Sequence, residues 1–156
     1  LPQCTLGWGR NQLVLHEKGT RIIFDAYNAN PQSMEALIKG LFEMDAKGGK
    51  KYAILGEMLE LGDYSAEYHR QLGELVARSD LDFVWFIGPS KGSFEKGLVA
   101  NGFKNNLMLS DTYEESLANE IESMLERQDI VAIKGSRGIK LERVLENWDT
   151  VNFKDR

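Results

Sequence analysis

Residues 20–37 read TRIIFDAYNANPQSMEAL. A β-branched and aromatic run, Ile22–Phe24, ends in Asp25, as a strand would. Tyr27, Asn28 and Asn30 then crowd into one turn. Pro31 follows, a residue preorganised for the first turn of a helix. Met34, Leu37, Ile38, Leu41 and Phe42 recur at helical spacing and predict a buried stripe. The helix is predicted to run to about Ala46, with Gly48-Gly49 ending it. A strand running straight into a helix is half of a βαβ unit.

The rest of the chain repeats that unit. KYAILG (51–56), DFVWFIG (82–88) and DIVAIKG (129–135) are continuous apolar runs, as expected of strands covered on both faces. NLMLS (106–110) is a shorter strand. Helical patterns over 63–79, 91–101, 112–128 and 139–148 alternate with them. Tyr68, Leu72, Leu75 and Val76 are expected on one side of the second helix. Asp111 with Glu114 three residues on predicts a capping box. Upstream, QLVLHE (12–17) alternates apolar and polar residues, and Gly19 turns it back on 20–26 as a hairpin. The predicted fold is a doubly wound, Rossmann-like α/β domain. Its sheet has about six strands, mostly parallel with one antiparallel strand, and helices cover both faces.

Composition excludes several functions. Of 156 residues, 42% are hydrophobic and 28% charged, ordinary for a globular domain. The formal net charge is −5 and the cations are scattered, which argues against reading a nucleic-acid backbone. One cysteine, Cys4, leaves no disulfide framework and no multi-cysteine metal site; it fits a reducing, cytoplasmic compartment. No apolar run reaches membrane-spanning length. The opening, LPQCTLGWGRNQ, reads like the middle of something longer.

In an open α/β sheet, ligands bind at the carboxyl ends of the strands. Four polar clusters follow strand ends and are expected to share one rim. Asp25–Asn30 offers more hydrogen-bonding capacity than a cap needs: the carboxylate suits a ribose hydroxyl, and the amides suit a base edge or phosphate oxygen. The bland alternative is an Asx-turn and a cap. Gly56–Asp63 carries Glu57 and Glu60, which could receive an ammonium or simply form a solvated loop. His69, inside a helix, reads as a polar-face residue. Lys134–Arg137, within IKGSRG (133–138), lacks P-loop spacing. Lys134, Ser136 and Arg137 still suit a carboxylate or phosphate, or a plain glycine-rich turn. Gly88–Ser90 merely turns the chain into its helix. No nucleophile has a base beside it, and no cluster has metal spacing. The pattern is that of a receptor without its own chemical engine.

DAYNANPQSMEAL, ILGEMLELGDYSAEYH and IKGSRGIKLERVL occur in the order and spacing of the C-terminal domain of Mur ligases. The chain resembles most the members that add D-Ala-D-Ala to UDP-N-acetylmuramoyl-tripeptide in peptidoglycan precursor synthesis. After KGSR it departs from the family's usual small residues and Met, reading Gly138, Ile139 and Lys140. The resemblance implies that residues 1–156 are the third domain of a three-domain, ATP- and magnesium-dependent amide ligase. The N-terminal and central domains, the P-loop and the metal ligands would lie elsewhere in that protein. This domain alone would be monomeric and inactive, and would bind no cofactor, nucleic acid or membrane. Residue by residue, Arg10, Asp25, Tyr27, Asn28 and Asn30 resemble the nucleotide-side contacts. Lys134, Ser136 and Arg137 resemble the receptor for the dipeptide carboxylate, and the resemblance implies that Glu57 and Glu60 either support that receptor from behind or partner the dipeptide's ammonium. No catalytic residue and no metal ligand carries over. His69 matches a family position without an assigned role. The competing readings are a free-standing nucleotide- or amino-acid-binding module, and an interaction domain that has lost its ligands. The intact Asp25, Asn28, Asn30 and KGSR speak against the latter.

Overall fold

The computed structural model describes residues 11–151. β1 (Gln12–Leu15) and β2 (Arg21–Asp25) form the expected hairpin. The chain reverses at Gly19, whose φ of +99° suits glycine alone. After β2 come α1 (Pro31–Glu43), β3 (Lys51–Gly56), α2 (Ser65–Ala77), β4 (Phe83–Ile87), α3 (Lys91–Ala100), β5 (Asn106–Ser110), α4 (Glu115–Met124), β6 (Ile130–Lys134) and α5 (Glu142–Asn147). The strands make one six-stranded sheet in the order β1-β2-β6-β3-β4-β5. Of the pairs between these strands, β1–β2 is antiparallel and the other four are parallel.

Alternation along the buried strands divides the core in two. Ile54, Trp85, Val131 and Ile133 pack against α4 and α5 through Ala118, Ile121, Val144, Leu145 and Trp148. Leu55, Val84, Phe86 and Ala132 pack against α1, α2 and α3 through Met34, Ile38, Leu41, Val76, Phe94 and Leu98. Burying a large apolar side chain in such a layer contributes roughly 1.5–3 kcal/mol. The two buried indoles are satisfied as well: Trp85 Nε1 donates to Ser110 Oγ at 2.9 Å and Trp148 Nε1 to the Ala118 carbonyl at 2.8 Å.

The helices end where caps and packing dictate, and some limits differ from the pattern. α1 stops at Glu43, because Met44 turns extended. Phe42, expected in its stripe, is exposed, with Lys51 Nζ 6.0 Å from its ring centroid. α4 begins at Glu115 with no side-chain cap, so Asp111 and Glu114 form no capping box. Tyr113 is instead drawn inward against Trp85, at 5.8 Å between ring centroids, and carries the Arg143 guanidinium over its ring at 4.6 Å. This packing holds residues 112–114 out of the helix. In α2 the buried face is His69, Leu72, Gly73 and Val76. Gly73 and Gly97 sit where α2 and α3 cross: a Cβ at either would run into the facing helix's backbone, at the Phe94 or Arg70 carbonyl.

β6 enters between β2 and β3 after a crossover on the opposite face from α1 and α2. The loops after β2 and β3 therefore leave toward one face and the loop after β6 toward the other. This reversal opens the sheet at the end of β6, where such folds place ligands.

Candidate functional site

The loop after β2 is anchored by α1. Asn30 is the helix N-cap: its Oδ1 accepts from Ser33 N at 2.8 Å, and its own N–H donates to Ser33 Oγ at 3.1 Å. Satisfying two otherwise orphan donors this way stabilises the start of the helix by about 1 kcal/mol. Asn30 thus supports the turn that presents Tyr27 and Asn28. Asn28 is exposed on the rim.

The loop after β6 fastens this turn to its neighbours. Asp25 and Lys134 are register partners at the ends of adjacent parallel strands. Lys134 Nζ lies 2.8 Å from Asp25 Oδ2 and donates to the Asn28 carbonyl at 2.8 Å. The lysine is 2% exposed and the aspartate 22%. Two residues on, Ser136 is buried: its N–H donates to the Glu57 carbonyl at 3.2 Å and its Oγ accepts from Leu59 N at 2.9 Å. Arg137 is exposed and lies across Tyr27, its guanidinium carbon 5.0 Å from the ring centroid and Nη1 3.4 Å from the phenol oxygen. Lys134 and Arg137 therefore reach into the loop after β2, and Ser136 into the loop after β3. Gly135 permits the approach, since a Cβ there would lie 2.9 Å from Gly56 Cα.

The loop after β3 is fixed from beneath. Glu57 is buried, and its carboxylate takes Ser90 N–H at 2.9 Å and Ser90 O–H at 2.5 Å, at the start of α3. A carboxylate is favourably placed at a helix N-terminus. His69, expected on a polar face, is instead fully buried. Its Nε2 accepts from Met58 N at 3.0 Å, and its Nδ1 stands 2.8 Å from the Ser65 carbonyl, which puts the ring proton on Nδ1. Nε2 is 3.8 Å from Glu57 Oε1; with that nitrogen acting as acceptor, the contact is not an ion pair. Glu60 is exposed at the loop's tip, with φ +64°.

Asp25, Tyr27, Asn28, Lys134, Ser136 and Arg137 thus come together at one rim, with Asn30 capping below. Glu57 faces inward to Ser90, and Glu60 stands apart at the surface. Arg10 lies outside the described residues. Sequence reasoning missed Ser90 as the partner of Glu57 and His69 as the prop of Met58. For His69 a signal existed, since it stands three, four and seven residues before Leu72, Gly73 and Val76 on the buried face. A cleft of about 720 Å³ lies between Pro31 and Gln32 on one side and Met58, Leu61 and Tyr68 on the other, and none of the six rim residues lines it. Among the described residues, no group of three His, Cys, Asp or Glu side chains is placed to hold a metal ion, and no helix is long and apolar enough to cross a membrane.

Comparison with known proteins fits this geometry. The family described as Mur ligase, glutamate ligase domain, matches residues 9–137. UDP-N-acetylmuramoyl-tripeptide–D-alanyl-D-alanine ligase of Bacillus subtilis (strain 168) is 33% identical over 138 residues, 88% of this chain and 30% of that protein. The ligase of the same name from Rickettsia prowazekii (strain Madrid E) is 31% identical over 148 residues, 95% of this chain and 31% of that protein. MurF ligase from Thermotoga maritima, solved in complex with ADP, superposes with a TM-score of 0.72 at 32% identity, over 92% of this chain and 31% of that one. The chain thus spans about a third of the length of these relatives. The family match runs from upstream of β1 to Arg137, the last residue of the rim, and the fold agrees with it: the chain belongs to the Mur ligase family.

Proposed function

We propose that this chain is the third, substrate-closing domain of an ATP-dependent ligase that joins D-Ala-D-Ala to UDP-N-acetylmuramoyl-tripeptide in peptidoglycan precursor synthesis. The observation that carries the reading is the composition of the rim. A carboxylate (Asp25) and an exposed amide (Asn28) stand beside a guanidinium (Arg137) on two adjacent loops. Asp25, Tyr27 and Asn28, on a loop capped by Asn30, form one wall of a nucleotide site, with Arg10 contributing from upstream. The other wall, with the P-loop and the magnesium ligands, belongs to the central domain. That the Thermotoga maritima relative was solved in complex with ADP supports nucleotide use by the full ligase. Arg137 presents a planar fork to the dipeptide carboxylate, on a loop that Ser136 and Lys134 hold in place. Glu60, exposed at the tip of the loop after β3, is left open to the incoming ammonium, while Glu57 props its loop.

ATP activates the peptide carboxylate as an acyl phosphate in the full ligase. The residues of this chain position and enclose, and leave the phosphoryl chemistry to the rest of the protein. The chain alone is therefore inactive. Phosphate release from ATP and magnesium tests this, measured with the complete ligase and with this chain alone. Release that requires UDP-N-acetylmuramoyl-tripeptide and D-Ala-D-Ala, and is absent from the isolated chain, is expected. Turnover by the isolated chain, or a complete protein indifferent to the dipeptide, would overturn the reading.

A further inference from the structure

We infer that Lys134 is a positioning residue for the loop after β2, setting Asp25 and Asn28 in place rather than receiving a substrate group. The inference rests on the reading of Asp25 as a nucleotide contact and deepens it. Lys134 is 2% exposed, and its ammonium is engaged at 2.8 Å by Asp25 Oδ2 and at 2.8 Å by the Asn28 carbonyl. Both partners belong to the neighbouring strand and its loop. One donor of the ammonium remains beyond these two, but with 2% of the side chain exposed a substrate carboxylate has no open path to it. The two contacts have different consequences. The ion pair fixes the rotamer of Asp25, whose carboxylate has about four acceptor positions, so that oxygen capacity remains on its exposed side. The bond to the Asn28 carbonyl fixes the backbone that carries the exposed Asn28 amide. A lysine suits the place because it delivers a compact charge on a slender stem between adjacent strand ends.

The test combines kinetics and hydrogen exchange on K134M, which keeps the unbranched stem, and on K134Q, which keeps a donor should the methionine variant fail to fold. In the complete ligase, K134M is expected to raise the KM for ATP about tenfold or more and to leave the KM for D-Ala-D-Ala within about twofold. Adding D25N to K134M is expected to cost little more than D25N alone. A KM for D-Ala-D-Ala that rises while that for ATP holds would make Lys134 a substrate receptor and overturn the inference. So would two unchanged KM values in a protein where D25N does raise the KM for ATP. If D25N itself leaves the KM for ATP unchanged, the nucleotide reading of Asp25 falls, and amide exchange then decides the inference on its own. Exchange at residues 27–30 is expected to accelerate about tenfold or more in K134M while α2 and β4 keep their protection. Unchanged protection at 27–30 would overturn it.

Discussion

Arg137 lies with its guanidinium 5.0 Å from the centre of the Tyr27 ring, so a cation from the loop after β6 rests on an aromatic from the loop after β2. The pair joins the expected carboxylate receptor to the expected nucleotide wall. Stacking at an exposed site contributes about 0.5–1 kcal/mol and orients the fork without burying it. In the complete ligase, Arg137→Ala is expected to raise the KM for D-Ala-D-Ala ten- to a hundredfold, which corresponds to the loss of a charge-assisted hydrogen bond of about 1.5–3 kcal/mol. The KM for ATP is expected to change much less. Steady-state kinetics varying each substrate in turn checks this; a raised KM for ATP alone would move Arg137 to the nucleotide side. Tyr27→Ala is expected to give a smaller increase in the same direction.

Asp25→Ala is expected to lower stability as well as nucleotide use, because it strands a buried ammonium. Breaking a buried pair costs about 3–5 kcal/mol; the low end, about 3 kcal/mol, applies because Asp25 is 22% exposed. Urea denaturation of the variant and of D25A/K134M measures it. The double variant is expected to recover part of the loss, since it removes the stranded charge. A double variant less stable than D25A would mean that the pair is not the source.

The parallel strands were legible because 52–55, 83–87 and 130–133 are apolar without interruption, and the structure buries β4 and β6 throughout. The rim was legible for a different reason: strand ends gather wherever a βαβ fold is wound, so the clusters could be placed together before their contacts were known. Those contacts were not legible. Nothing local in KGSR reveals that Lys134 turns toward Asp25, because their adjacency comes from β6 inserting beside β2 after the sheet has already passed that point. Glu57 was hidden likewise, its partner Ser90 belonging to the next strand's exit. The start of α4 misled because a capping pattern competes with the packing of Tyr113, and tertiary packing prevailed.

Gly73→Ala and Gly97→Ala are expected to destabilise the chain by about 1–3 kcal/mol each, the range for overpacking a well-filled interior. A methyl at either site meets backbone of the opposite helix, which cannot swing aside as a side chain would. Gly92→Ala, with nothing within 4 Å of the new Cβ and a place inside α3, is the control; it is expected to be neutral or slightly stabilising through helix propensity. Urea midpoints of the three variants decide it. Equal midpoints for all three would show that α2 and α3 can separate without cost.

Two phenols report on the face of the sheet covered by α4 and α5. Burial, followed by the negative charges of Asp129 and Asp82, pushes Tyr52 from 10.0 to about 12. Burial with the charge of Glu115 pushes Tyr113 up to about 12, against the opposing Arg143. A group whose folded pKa is raised holds its proton more tightly in the folded chain, so its contribution is complete below the unfolded value and disappears as pH climbs through the folded one. Stability is therefore expected to fall between about pH 10 and pH 12. Tyrosinate absorbance is expected to keep a late component near pH 12, at which the circular dichroism of the sheet begins to fail. Tyr52→Phe and Tyr113→Phe should each remove part of that component. Each should also flatten the alkaline loss of stability, because phenylalanine has no proton to lose. A late component that survives both substitutions would assign the shift to other phenols and leave the packing around Tyr52 and Tyr113 without this signature.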